Sequence, residues 1–156
     1  MTYTMPRGAG RQKSAQSYAN VGLETEVLSA SPERLITLLF NGARAAIMKA
    51  RLHMENGDIP GRGQTISKAI DIVGSGLKAA VNEEAGGQVA KSLITSYDLI
   101  IYNLLQANLH GDMSRLDTAE RILTEIASAW KEVTEPAAAG KPGPAASAHT
   151  ELAAAG

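Results

Sequence analysis

Between about Leu23 and Glu135 apolar residues recur at three- and four-residue steps, and no stretch alternates with the period of two that a strand requires. The first helix is predicted to open at Ser31-Pro32-Glu33. Ser can cap, Pro suits the first helical position where no N–H is needed, and Glu suits the positive end of the dipole. Leu35, Leu38, Leu39, Gly42, Ala43, Ala46, Ile47, Ala50 and Met54 form its apolar face, which runs to Asn56-Gly57. Beyond the turn residues Asp58, Pro60, Gly61 and Gly63, Ile66, Ala69, Ile70, Val73, Leu77, Ala80 and Val81 mark a second helix. Gly74 and Gly76 weaken it by about 1 kcal/mol each relative to Ala, and Glu83-Glu84-Ala85-Gly86-Gly87 ends it.

The third helix, about Gln88 to Leu109, has almost no polar face: Leu93, Ile94, Tyr97, Leu99, Ile100, Ile101, Tyr102, Leu104 and Leu105 surround it. A helix that apolar is covered on more than one side. The fourth begins near Asp112, and Leu116, Ala119, Leu123, Ile126, Trp130 and Val133 alternate steps of three and four as in a bundle helix. Short links between long consecutive helices favour antiparallel neighbours. The prediction is all-α: an antiparallel four-helix bundle in up-down-up-down order.

Composition changes this picture at the ends. The first ~20 residues carry Arg7, Arg11 and Lys13 with no acid, and the stretch from Pro136 is mostly Ala, Gly and Pro. Neither composition builds a packed core. No apolar run of signal-peptide length follows the basic residues. The most membrane-like stretch, Ser92 to Gly111, is interrupted by Ser96, Asp98, Asn103, Gln106, Asn108 and His110, so it reads as a buried helix and no stable membrane insertion is expected. A net charge of −1 argues against nucleic-acid binding. Arg44, Lys49 and Arg51, flanked by Glu33, Glu55 and Asp58, read as a solvated face. Without cysteine there is no disulfide, thiolate metal site or catalytic thiol.

Candidate chemistry is sparse. A carboxylate-bridged metal pair in such a bundle needs Glu-x-x-His twice, but Ala50, Ala107 and Ala146 precede His53, His110 and His149 by three. His53 and His110 read as C-terminal helix residues favoured by the dipole. Gly61-Arg62-Gly63-Gln64 reads as a turn in preference to an anion site. Glu83-Glu84 reads as a solvated loop, and Asp98 as a bond to a neighbouring helix. No nucleophile–base pair is supported, so no catalytic residue, metal or cofactor is expected. What remains is surface for a partner. Ile36 and Phe40 sit at the edge of the first helix's stripe, Met48 and Leu52 lie farther round, and Ile72 is displaced from the stripe of the second. With the surplus on the third helix, these either line a groove for an amphipathic peptide or are buried by an asymmetric bundle.

The segment Ser29-Ala30-Ser31-Pro32-Glu33-Arg34-Leu35-Ile36, with Leu38-Leu39-Phe40-Asn41-Gly42-Ala43, closely resembles the first core helix of flagellar secretion chaperones of the FliS family. Ile66, Lys68-Ala69 and Ile72-Val73 resemble the second. Gly86-Gly87-Gln88-Val89-Ala90, Leu93, Tyr97-Asp98 and Ala107-Asn108 resemble the third, Trp130 falls at the family's late Trp, and Tyr18 at its N-terminal Tyr. Phe40 stands where the family usually has Tyr, Asn41 where it has Asp, and Ser92 where Asn is common. The resemblance implies a bundle with a short N-terminal cap over 17–135, and the composition of the ends leaves a disordered arm over 1–16 and a disordered tail over 136–156. It implies a cytoplasmic, non-enzymatic chaperone that binds the disordered C-terminal region of flagellin, prevents premature polymerisation and presents it to the flagellar type III export gate. The groove implied is Ile36, Phe40, Ile94, Tyr97, Ile101, Tyr102 and Leu105, with Tyr18 in the cap. The alternatives are a four-helix adaptor for another export substrate or regulator, and a metal- or ligand-binding bundle enzyme.

Overall fold

The computed structural model describes residues 30–135. Helix α1 spans Pro32–Glu55, α2 Ile59–Asp71 with a π-helical continuation Ile72–Lys78, α3 Glu83–His110 and α4 Met113–Thr134. By internal contacts the chain divides after Leu35, and the packing that follows is that of the unit from Ile36 onward.

Polar side chains set the helix starts. Ser31 Oγ accepts from the Arg34 N–H at 3.1 Å, Asp58 from Gly61 at 3.0 Å, Asn82 from Ala85 at 3.1 Å and Asp112 from Ser114 at 2.9 Å. Each satisfies an amide that has no partner within the helix. Helix α2 therefore starts earlier than expected and takes in Pro60, Gly61 and Gly63. Pro60 lies where its missing N–H costs nothing. Gly61 is required by packing, since a Cβ there would come within 2.4 Å of an Asp58 carboxylate oxygen and 2.5 Å of His53 Nδ1. Asp58 also binds His53 Nδ1 at 2.9 Å, which closes the α1–α2 turn. The cap carboxylate thus occupies the helix start at which an external anion would otherwise sit.

Side-chain contacts give the topology. Leu39 and Ile72 join α1 to α2, where a Cβ at Gly76 would stand 2.9 Å from Leu39 Cδ2 and one at Gly42 would stand 3.5 Å from Ile72 Cδ1. Arg62 donates to Asn108 O at 2.8 Å, and Lys78 Nζ meets Asp98 Oδ1 at 2.6 Å, so α2 and α3 run antiparallel. Arg115 donates to Asn103 at 3.2 Å across the α3–α4 turn. Helices α1 and α4 are pinned at both ends. Trp130 Nε1 donates to Thr37 Oγ1 at 3.0 Å, and Arg51 bridges Asp117, at 2.5 Å, and Glu120. The hydrogen bond to Asp117 is the main reason the Arg51 guanidinium holds its proton more tightly than usual. The result is an antiparallel four-helix bundle around Ile47, Ile66, Leu77, Ile100, Leu104, Leu116 and Leu123.

Two irregularities use glycine. Along Ile72–Lys78 the helix widens to π geometry, where Gly74 and Gly76 leave room for Ile101 and Leu39 against the backbone. Helix α3 breaks at Gly87, with φ 57° and ψ −134°, so Glu83 and Glu84 form a capped first turn and the continuous helix begins at Gln88. A Cβ at Gly87 would meet no atom within 4 Å, so its cost is purely conformational. Gly87→Ala should lose about 1–3 kcal/mol in urea unfolding. A loss below about 0.5 kcal/mol would show that the break is not held in the native state.

Candidate functional site

Helix α3 presents its core face through Leu93, Tyr97, Ile100, Leu104 and Ala107, all buried. Its other large apolar residues are not fully covered by the bundle. Leu99 and Tyr102 are each 48% exposed, Leu105 51% and Leu109 70%. Tyr102, Leu105 and Leu109 follow at steps of three and four and so form one outward stripe. Ile94 and Ile101 flank it on the side of α2, half-buried, with Ile101 Cδ1 resting against the backbone at Gly74. The ion pair Lys78–Asp98 crosses from α2 to α3 between these two isoleucines.

The seven expected groove residues therefore separate. Tyr102 and Leu105 are open, Ile94 and Ile101 are partly open, and Ile36, Phe40 and Tyr97 lie in the core. Ile36 and Phe40 are 5% and 2% exposed and belong to the same core cluster as Trp130, so they lie inside the buried stripe of α1 and not at its edge. Tyr97 shares the stripe of Leu93, Ile100 and Leu104. Ile72 is taken up in the α1–α2 contact. Met48 and Leu52, one turn apart on the outside of α1, are both exposed. Tyr18 lies outside the described residues.

A family model described as Flagellar protein FliS matches residues 14–137. The chain belongs to the FliS family. It is 45% identical over 119 residues to the flagellar secretion chaperone FliS of Salmonella typhimurium, covering 76% of this chain and 88% of that protein. The FliS of Escherichia coli is 40% identical over 120 residues, covering 77% and 88%. The flagellar secretion chaperone FliSB of Pseudomonas aeruginosa is 38% identical over 122 residues, covering 78% and 96%. The FliS match takes in all four helices and the exposed stripe of α3. By name the family is one of chaperones and not of enzymes. Among the described residues no helix is long and apolar enough to cross a membrane.

One residue beneath the FliS surface, Tyr97, is titratable and buried. Burial pushes the Tyr97 phenol well above its ordinary value of 10.0. In the unfolded chain it ionises near pH ~10, whereas in the fold it stays protonated. The unfolded chain therefore releases a proton that the folded chain keeps, so this contribution is intact below pH ~10 and falls as pH rises beyond it, at about 1.4 kcal/mol per unit. Urea unfolding between about pH 9 and pH 11 should show that decline, and Tyr97→Phe should flatten it whatever it does to stability at neutral pH. An unchanged slope in the variant would place the alkaline sensitivity elsewhere.

Proposed function

We propose that this chain is a cytoplasmic export chaperone that binds the disordered C-terminal region of flagellin, keeps it from polymerising and presents it to the flagellar type III export gate. The observation that carries the reading is the apolar stripe Tyr102, Leu105 and Leu109, left uncovered on a helix whose opposite face is core. An exposed stripe at helical spacing suits the apolar face of an amphipathic helix. Flagellin termini that assemble through such faces are kept apart when each face is buried on a chaperone instead.

On this reading Tyr102, Leu105, Ile101 and Ile94 contact the client. Ile36, Phe40 and Tyr97 lie beneath and hold α1 and α3 in place. Each fully buried apolar side chain contributes about 1.5–3 kcal/mol, while ordering the client segment costs about 2–5 kcal/mol. A few such contacts give a complex firm enough to protect and still releasable at the gate. Seeded growth of flagellin filaments, followed by light scattering, should stop once this chain equals flagellin in concentration. Undiminished growth in the presence of the folded chain would reject the flagellin reading and leave that of an adaptor for another client.

A further inference from the structure

The one buried polar side chain among the described core residues is Asn103, 3% exposed. A buried amide costs stability unless its hydrogen bonds are made. Asn103 makes two. Its Nδ2 donates to Leu99 O at 2.9 Å, and its Oδ1 accepts from Arg115 Nη1 at 3.2 Å. The amide orientation is unambiguous, because the carbonyl can only accept and the guanidinium can only donate. The Arg115 guanidinium also lies over the Tyr102 ring, 5.6 Å from its centroid. It is thus fixed from below by a neutral amide and from one side by an aromatic face. Arg115 is half-buried, and no carboxylate of the described residues forms an ion pair with it. Asp112, the acid nearest to it in sequence, spends its hydrogen bonds on the Ser114 N–H and hydroxyl, at 2.9 and 2.6 Å, and feels the Arg115 charge without closing an ion pair with it. The other charge beside the stripe, Asp98, is taken by Lys78.

A guanidinium held in place at the edge of an exposed apolar stripe, with N–H donors left over, is a recognition element for a planar anion. We propose that Arg115, positioned by Asn103 and Tyr102, binds an acidic side chain of the client's amphipathic segment and so sets the register of that segment on α3. This rests on the client reading given above. A side chain fits better than a chain terminus. Exposed apolar residues continue on both sides of the arginine along α3, Leu99 towards one end and Leu105 and Leu109 towards the other, so a docked helix passes Arg115 along its length. Neutral Asn103 bonds the guanidinium without cancelling its charge, whereas an acid in its place would.

The test is calorimetric titration of the full chain with flagellin's C-terminal segment. Arg115→Gln should weaken binding about fivefold to tenfold, and the difference should shrink in ~0.5 M salt. Arg115→Lys, which keeps the charge but loses the planar fork, should recover only part of the affinity. Asn103→Leu should keep or raise the melting temperature, since it replaces a buried polar group with an apolar one of similar size, and yet weaken binding by freeing the guanidinium. Replacing the segment's Asp and Glu residues by amides one at a time tests the pairing without touching this chain. One replacement should cause the full loss with the wild-type chain and no further loss with Arg115→Gln. Wild-type affinity in folded Arg115→Gln, or losses that simply add for every acid, would overturn the carboxylate site alone. No binding of the segment by the wild-type chain would overturn it together with the client reading.

Discussion

Leu105→Asp is expected to weaken binding of flagellin's C-terminal segment by at least ~100-fold while shifting the melting temperature by no more than about 2 °C. Leu105 is 51% exposed, so the free protein hardly registers the change; surface substitutions of this kind fall within about 0.5 kcal/mol. In the complex the effect is double. The leucine contact, about 1.5–3 kcal/mol, is lost, and a carboxylate must be stripped of water against an apolar face, which costs several kcal/mol more. Ile101 is a poorer choice for this test. It is half-buried against Gly74 in the π-helical stretch, so an aspartate there damages the α2–α3 contact and the client surface together. Leu105 separates the two. Calorimetry and a thermal melt on one preparation check the prediction, and a melting temperature lowered by more than about 5 °C would move Leu105 into the core.

Trp130→Ala should be the most destabilising single change in the bundle, at about 3–5 kcal/mol out of a total of about 5–15 kcal/mol. Trp130 is 2% exposed and is the only tryptophan of the chain. Its ring is part of the core cluster, and its indole N–H donates to Thr37 of α1. Removal leaves a cavity that long helices cannot collapse to fill, and it undoes the pin opposite to the Arg51 bridge. Trp130→Phe keeps most of the ring and loses the hydrogen bond, so about 1–2 kcal/mol is expected. Urea unfolding followed by far-ultraviolet circular dichroism ranks the two. A loss below about 1 kcal/mol for the alanine variant would mean that the α1–α4 seam is held elsewhere.

Much of the fold could be read from residues with unambiguous local chemistry. Ser31-Pro32 starts α1, Asn56-Gly57 stops it, Asp112 caps α4, and the steps from Leu116 to Trp130 are those of a bundle helix. Asp98 does bond to the neighbouring helix, through Lys78. The start of α2 was not legible, because Asp58-Ile59-Pro60-Gly61 has turn composition and the reason for Gly61 is the contact with Asp58 and His53. The start of α3 was hidden in the same way. Glu83 to Gly87 reads as a terminator, whereas Asn82 caps a new turn and only Gly87 interrupts it.

The candidate surface was legible in kind and less so in its members. Surplus apolar residues on the third helix show that something is left over, but periodicity alone does not say which flank the neighbours cover. Here the core takes Ile36, Phe40 and Tyr97, and the residues left open are Tyr102, Leu105 and Leu109. Leu109 and Leu99 are carried by the same signal and belong with the stripe. Arg115 had no signal of its own, since its position depends on the buried amide of Asn103 across the α3–α4 turn.

The most direct measurement is a calorimetric titration of the chain with flagellin's C-terminal segment at two temperatures, with Leu105→Asp as the control. The account predicts saturable one-to-one binding by the wild type, a negative heat-capacity change from burial of the α3 stripe, and loss of both in the control. Absence of binding by a chain that circular dichroism shows to be folded, or equal binding by Leu105→Asp, would contradict it.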